Sequence, residues 1–129
     1  MATVENIMSR ALLTVETTAT LTEAAREMHS HSVGAVLVLA GERLEGILTE
    51  RDVLRAVATG QVEGTHVAAW MTRDPETVGL DDTSGHAAAL MIHGGFRHLP
   101  VVDGGDPVGI LSIRDLMRLV LDDESPRGA

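Results

Sequence analysis

One seven-residue string occurs twice in this chain. Residues 46–52 read GILTERD and residues 109–115 read GILSIRD. When residues about sixty-three apart are paired, the match continues on both sides of the string without a gap: Val4 with Val67, Met8 with Met71, Thr14 with Thr77, Met28 with Met91 and Val38 with Val101. A register that holds over this length means that the unit of structure is a repeat, and that the chain contains two of them.

The length of the chain decides how two such repeats fold. With 129 residues in total, two repeats of about sixty are each too small to bury a core alone, so they are expected to share one compact module. We place the first repeat at residues 1–60, a linker at 61–66 and the second repeat at 67–122. Residues 123–129 are charged and contain Pro and Gly, so we expect a frayed tail there.

Charge and composition narrow the choice of partners. The formal net charge is −9, and basic residues are not clustered in sequence, so a nucleic-acid partner is not expected. The chain has no cysteine, which excludes disulfides and thiolate metal sites. It shows neither a secretory signal nor about eighteen consecutive apolar residues, so we expect a soluble, cytoplasmic protein without a membrane partner.

The hydrophobic pattern predicts the same order of elements in each repeat: strand, helix, strand, strand, helix. In the first repeat, Thr20 and Glu23 have the spacing of a capping box at a helix start, and a second helix runs from Thr49 to Gly60. Strands are predicted at residues 13–15, 35–39 and 44–48. In the second repeat, strands are predicted at 77–78, 99–102 and 108–111, and helices at 83–92 and 113–121. The fold class is therefore mixed α/β (α+β).

Two interpretations of the repeated string remain open on physical grounds. Thr49 is a good helix N-cap, and Asp52 at the third helical position interacts favourably with the positive end of the helix dipole. The same geometry presents free amides and a hydroxyl to a phosphate, and a carboxylate to a diol such as ribose. The residues alone do not choose between the cap and the binding site.

The wider pattern adds a resemblance. Each repeat has a hydrophobic-Met-Ser/Thr start and a Gly-Ile-Leu-Ser/Thr-x-x-Asp end, and the strings IMSR, GILTERD, WMTRDPETV, FRHLPVVD and GILSIRD occur in the order typical of a tandem pair of cystathionine β-synthase (CBS) domains. The resemblance covers nearly the whole chain. It implies two β-α-β-β-α repeats related by a pseudo-twofold, called a Bateman module, with sheets packed together and helices outside. It also implies two clefts between the repeats that hold adenine nucleotides or related ligands.

The resemblance assigns residues from both repeats to each cleft. The first cleft would combine Thr49, Arg51, Asp52, Met71, Thr72, Thr77, Arg97 and His98. The second would combine Ser112, Arg114, Asp115, Met8, Ser9, Thr14, Gly34 and Ala35.

These two clefts differ in chemistry. Arg97 and His98 of the first correspond to Gly34 and Ala35 of the second. A guanidinium fork suits phosphate oxygens, so we expect the first cleft to be the better nucleotide site.

Other groups of residues give weaker evidence for a metal, catalytic or phosphate site. His29 with His31, and His93 near His98, suggest a metal site, but the pairs do not coincide between repeats, and surface histidines are the preferred interpretation. Ser84, His86 and Asp82 contain the groups of a hydrolase triad, but neighbouring residues at a helix start do not easily converge on one atom, so Asp82 and Thr83 are better explained as caps. The Gly94–Gly95 pair does not open a helix after a strand, and Gly104–Gly105 falls in a hairpin turn.

The predicted function follows from these points. We expect a regulatory sensor that binds an adenine nucleotide (AMP, ADP or ATP), NAD or an S-adenosyl compound, requires no cofactor or metal, and acts on an effector protein that the sequence does not name. A ligand-free interaction module is the alternative, and an enzyme is the least favoured class. The Ala- and Met-rich segment 87–91 is either buried within the module or part of a homodimer formed through helix faces.

Overall fold

The structure is a computed structural model that describes residues 2–124, and the side chains of residues 2–121. The chain forms two compact units that do not coincide with the two sequence repeats. The first unit contains residues 12–75. The second unit contains residues 2–11 together with residues 76–124.

The first unit is a four-stranded sheet with two helices. Its sheet order is β1-β2-β3-β4, in which β1 is parallel to β2 and the other neighbours are antiparallel. Its elements are β1 (Thr14–Glu16), α2 (Leu21–Ser30), β2 (Ala35–Ala40), β3 (Arg43–Thr49), α3 (Glu50–Ala58), a 3-10 turn (Val67–Ala69) and β4 (Thr72–Arg73).

The second unit repeats this plan with a three-stranded sheet, ordered β5-β6-β7. Its first element, α1, comes from the N-terminus of the chain. Its elements are α1 (Val4–Ile7), β5 (Val78–Gly79), α4 (Ser84–Gly94), β6 (His98–Asp103), β7 (Asp106–Ser112) and α5 (Ile113–Glu124). The prediction of a mixed α/β fold with strand, helix, strand, strand, helix in each repeat is confirmed.

Each unit has its own apolar core of small side chains. In the first unit, Leu21, Val36 and Leu48 are fully buried together. In the second, Leu99, Leu111 and Val4 have no exposed surface. Ala87 and Met91 also lie in this second core, so the interpretation that segment 87–91 is buried holds for these two side chains.

The helix starts follow the predicted caps in most respects. The Thr20 hydroxyl accepts a hydrogen bond from the Glu23 amide at 3.1 Å, although the reciprocal bond from the Glu23 side chain is not formed, so only half of the predicted capping box is present. The Thr83 hydroxyl accepts in the same way from the His86 amide at 3.1 Å. Gly60, Gly104 and Gly105 have positive φ angles, as expected for a helix end and a hairpin turn.

Three features differ from the sequence-based expectation. Strand β4 was not predicted, because two residues are too few to show a period. Residues 2–11 pack in the second unit, where the Val4 amide donates to the Asp82 carbonyl at 2.8 Å. Helix α5 continues through Glu124, into the segment predicted as a tail; the rest of that segment, 125–129, lies outside the described residues. Within residues 2–124, no helix is both long and apolar enough to cross a membrane.

Candidate functional site

The start of helix α3 holds the one charged side chain that is buried among residues 2–121. Asp52 is 7% exposed, and its Oδ2 accepts hydrogen bonds from the Thr49 amide at 2.9 Å and from the Thr49 hydroxyl at 3.1 Å. The Asp52 amide in turn donates to the Thr49 hydroxyl at 3.3 Å. This is a complete capping box, and Oδ2 is the carboxylate oxygen that makes its bonds.

The start of helix α5 repeats the two backbone hydrogen bonds of this arrangement, with a half-buried carboxylate in place of a buried one. The Ser112 amide donates to Asp115 Oδ2 at 2.8 Å, and the Asp115 amide donates to the Ser112 hydroxyl at 3.2 Å. The other carboxylate oxygen, Oδ1, lies 3.4 Å from Nη1 of Arg118. Arg118 was not among the predicted site residues, although its three-residue spacing from Asp115 on a helix was a signal that could have identified it.

The strand that precedes each cap is built to let another segment approach closely. A Cβ added at Gly46 would lie 2.7 Å from the Met71 sulfur and 2.7 Å from the Thr72 carbonyl oxygen. A Cβ added at Gly109 would lie 2.7 Å from the Ser9 carbonyl oxygen and 2.9 Å from the Met8 sulfur. The glycine of each GIL string is therefore required by packing against the Met-Thr or Met-Ser pair.

Those two pairs are also hydrogen-bonded to the strands. Thr72 is the register partner of Ile47 in the β3–β4 ladder. Ser9 and Ile110 exchange backbone hydrogen bonds of 2.9 and 3.0 Å. The predicted residues Met71 and Thr72 thus lie against β3, which ends at Thr49. Met8 and Ser9 lie against β7, which ends at Ser112.

A second pair of predicted residues flanks each cap from the neighbouring strand. The Gly34 carbonyl accepts from the amide that follows Thr49, at 3.0 Å, and Ala35 is the register partner of Thr49. In the second unit the Arg97 carbonyl accepts from the Ile113 amide at 2.8 Å. His98 is the register partner of Ser112. Arg97 is exposed and His98 is half-buried.

The remaining predicted residues lie in or beside the first strand of each sheet, or on the helices. Thr14 is in β1, opposite Leu37 of β2. Thr77 immediately precedes β5. Arg51 and Arg114 are the second residues of α3 and α5, and both are exposed.

Each unit therefore gathers its own half of the predicted residues. The first unit contains Thr49, Arg51, Asp52, Met71, Thr72, Thr14, Gly34 and Ala35, and the second contains Ser112, Arg114, Asp115, Met8, Ser9, Thr77, Arg97 and His98. The two groups predicted from the resemblance each combine residues of both units. Those groupings stay predictions.

Local hydrogen bonds account for residues of the hydrolase and metal-site alternatives. Asp82 Oδ2 accepts from the Gly79 amide at 2.7 Å, which engages this carboxylate with strand β5. The amides of Ser84 and His86 are bonded to the Ala2 carbonyl and the Thr83 hydroxyl. His31 Nδ1 lies 2.9 Å from the Glu27 carbonyl oxygen at a helix end. In the described part of the chain, no three histidine or carboxylate side chains are grouped closely enough to hold a metal ion.

Comparison with known proteins identifies the repeat. The family model of the CBS domain matches residues 4–59 and, a second time, residues 67–122. The chain belongs to the CBS-domain family. The CBS domain-containing protein YhcV of Bacillus subtilis is 34% identical over 130 residues, which cover 100% of this chain and 93% of YhcV. By contrast, the chain spans 21% of the CBS domain-containing protein CBSCBSPB1 of Arabidopsis thaliana.

Solved structures of CBS-domain proteins share the fold over nearly the whole length. The CBS domain protein of Pyrobaculum aerophilum complexed with AMP is 32% identical with a TM-score of 0.87, covering 95% of this chain and 97% of that one. The CBS domain pair of protein MJ0100, in complex with 5′-methylthioadenosine and S-adenosyl-L-methionine, is 26% identical with a TM-score of 0.90, covering 96% and 99%. The resemblance to a tandem CBS pair is confirmed. These proteins are named for their CBS domains and not for a reaction.

Proposed function

We propose that this chain is a regulatory module that binds an adenine nucleotide or a related adenosyl ligand. The observation on which the proposal rests is the buried carboxylate of Asp52 at the start of α3. A buried charge is costly unless it is well bonded. The capping box engages Oδ2 of Asp52, and we propose that Oδ1 accepts from a ligand hydroxyl.

The chemistry of the cap fits the two parts that such ligands share. A carboxylate accepts from both hydroxyls of a ribose, and the amides at a helix start favour a phosphate or carboxylate. The chain is acidic overall, with a net charge of −9, so an anionic ligand needs a local cation. Arg97 and Arg51 are exposed cations among the predicted residues, and we propose that both share a cleft with Asp52.

The CBS relatives support the choice of ligand class. Two structures that match this chain over more than nine-tenths of its length hold AMP or adenosyl compounds. All of these ligands contain adenosine, and they differ at the 5′ position. We propose that the ligand alters the affinity of the chain for a separate effector protein, and that the chain self-associates through helix faces.

A thermal-shift panel of AMP, ADP, ATP, 5′-methylthioadenosine and S-adenosylmethionine tests the proposal. A ligand at a hundredfold excess over its Kd adds about 2.7 kcal/mol to the free energy of unfolding. Asp52→Asn keeps an acceptor for the cap but replaces the second oxygen with a donor. Because hydrogen bonds to charged groups contribute about 1.5–3 kcal/mol, this variant should bind roughly ten- to a hundredfold more weakly.

The matched control is Asp82→Asn, since Asp82 also bonds a backbone amide but lies outside the predicted site. It should lose some stability and keep the full ligand shift. An equal ligand response in Asp52→Asn and the unmodified chain would contradict the assignment of Asp52. The absence of any response across the panel would favour the second candidate, a ligand-free interaction module, in which the two capping boxes serve structure alone.

A further inference from the structure

One ion pair distinguishes the two caps of the chain. On α5, Nη1 of Arg118 lies 3.4 Å from Oδ1 of Asp115. The residue at the same repeat position of α3 is Arg55, which also follows an aspartate, Asp52, by three positions. Among the side chains that the structure describes, no hydrogen bond or ion pair joins Arg55 to Asp52. The repeat thus places the same residue types around two carboxylates and pairs only one of them with its arginine.

The cap hydroxyls differ in the same direction. In the first unit, the Thr49 hydroxyl donates to Asp52 Oδ2 at 3.1 Å, in addition to the bond from the Thr49 amide. In the second unit, the bond from the cap to the Asp115 carboxylate is the one from the Ser112 amide, at 2.8 Å. A carboxylate that accepts fewer bonds from its cap has more acceptor capacity left for another donor. Arg118 uses that capacity at Oδ1.

The two partners of this ion pair differ in their contact with solvent. The side chain of Arg118 is 66% exposed, whereas that of Asp115 is 11% exposed. Ion pairs with an exposed arginine are weak, so a ligand hydroxyl can replace the guanidinium at Oδ1. Because the carboxylate is largely covered, a group that bonds to Oδ1 comes close to the position of the guanidinium. Arg118 therefore senses the charge of whatever Asp115 binds.

The 5′ substituent of an adenosyl ligand decides whether the displaced arginine finds a new partner. A ribose that donates to Asp115 leaves the guanidinium beside the ligand, and at about 0.1 M salt the 5′ group of that ribose lies within the Debye length of roughly 10 Å. A 5′-phosphate supplies the anion that Arg118 has lost, in a geometry that suits a guanidinium fork. An uncharged 5′ group supplies no anion, and a sulfonium repels the arginine.

We propose that Arg118 is a specificity-determining residue, which makes the Asp115 cap select 5′-phosphorylated nucleosides over adenosyl ligands that lack a 5′ anion. This inference rests on the proposed function, since it concerns which ligand of that class the second unit accepts. Asp52 has no such ion pair to open, so Arg55 does not impose the same selection on the first unit.

Calorimetric titration with AMP and with 5′-methylthioadenosine tests the proposal. The Asp52→Asn variant serves as the parent, because it leaves the Asp115 cap unchanged in the other unit. Arg118→Gln in that parent removes the charge. It should bind AMP about two- to fivefold more weakly and 5′-methylthioadenosine about two- to fivefold more tightly, so the preference for AMP should fall about tenfold. A general loss of structure at the cap would weaken both ligands together.

The matched control is Arg55→Gln in the same parent, which should leave both affinities unchanged. Arg118→Lys keeps the charge and should retain most of the preference for AMP. Raising the NaCl concentration from about 50 mM to about 0.5 M should lower that preference in the parent, because salt screens exposed charges. The preference of Arg118→Gln should respond much less to salt. Since Arg118 is exposed, all of these variants should keep the circular dichroism spectrum of the parent.

The possible failures are distinguishable. If the chain without substitutions binds neither ligand, the proposed function fails, and the selection by Arg118 fails with it. If that chain binds ligand but the Asp52→Asn parent does not, the Asp115 cap is not a ligand site, and only the role of Arg118 is overturned. Equal preference for AMP in Arg118→Gln and its parent would also overturn the role of Arg118 and leave the proposed function intact.

Discussion

Gly46→Ala should destabilise the protein by overpacking, with an effect large enough to measure cleanly. The new Cβ would lie 2.7 Å from the Thr72 carbonyl oxygen and 2.7 Å from the Met71 sulfur. The sulfur belongs to a flexible side chain, but Thr72 is fixed by its pairing with Ile47. The backbone of β4 must therefore move away from β3, and overpacking of this kind costs about 1–3 kcal/mol.

The control for this variant is Gly79→Ala. Gly79 is also in a strand, but its added Cβ would find no atom closer than 3.8 Å, so the change should stay within about 0.5 kcal/mol. Urea denaturation measures both variants, and the midpoint should fall for Gly46→Ala at an unchanged m-value. Met71 lies in the core, so Met71→Ala is itself destabilising. In a double-mutant cycle, its coupling energy with Gly46→Ala should account for only part of the Gly46→Ala loss, because the contact with the Thr72 carbonyl remains.

Two outcomes would contradict the claim that the backbone of β4 requires a glycine at position 46. Equal free energies of unfolding for Gly46→Ala and Gly79→Ala would mean that β4 does not constrain Gly46. A coupling energy as large as the whole Gly46→Ala loss would mean that the methionine sulfur alone requires the glycine. Gly109→Ala repeats the test in the second unit, where the fixed atom is the Ser9 carbonyl oxygen.

Two further predictions concern caps and charge. Thr83→Ala removes the acceptor for the His86 amide and should lower the free energy of unfolding by about 1 kcal/mol. The control Thr18→Ala, at an exposed position, should change it little. Equal losses of stability in urea denaturation would contradict the capping role of Thr83. Raising the NaCl concentration from roughly 10 mM to 0.5 M should raise the midpoint temperature of thermal unfolding, because salt screens the self-repulsion of a chain with a net charge of −9. A lower midpoint temperature at high salt would contradict the claim that self-repulsion destabilises the fold.

The repeat made the local structure predictable. Two copies of one pattern identify the same strands, helices and caps twice, so Thr20, Thr49 and Thr83 were recognisable as helix starts before the structure was known. The fold class follows from that order of elements. The family resemblance then assigned residues of both units to each of two clefts, and those assignments stay predictions.

Long-range backbone pairing was the part that the sequence could not show. The contact between β3 and β4 involves two residues of β4, Thr72 and Arg73, which is too short a strand for any periodicity. The bond from Ser9 to Ile110 uses main-chain atoms, which are the same for every residue type. Arg118 was missed because a charged residue on an exposed helix face usually needs no partner.

The placement of residues 2–11 has a consequence for biosynthesis. Ser9 bonds to Ile110 and Val4 bonds to Asp82, so residues 2–11 are synthesised well before their partners. Residues 12–75 contain every element of their unit, so all of its strands and helices have been synthesised once Pro75 has emerged. The first ten residues must wait for the last strand. A bulky N-terminal fusion should therefore slow completion of the second unit and leave the first unaffected.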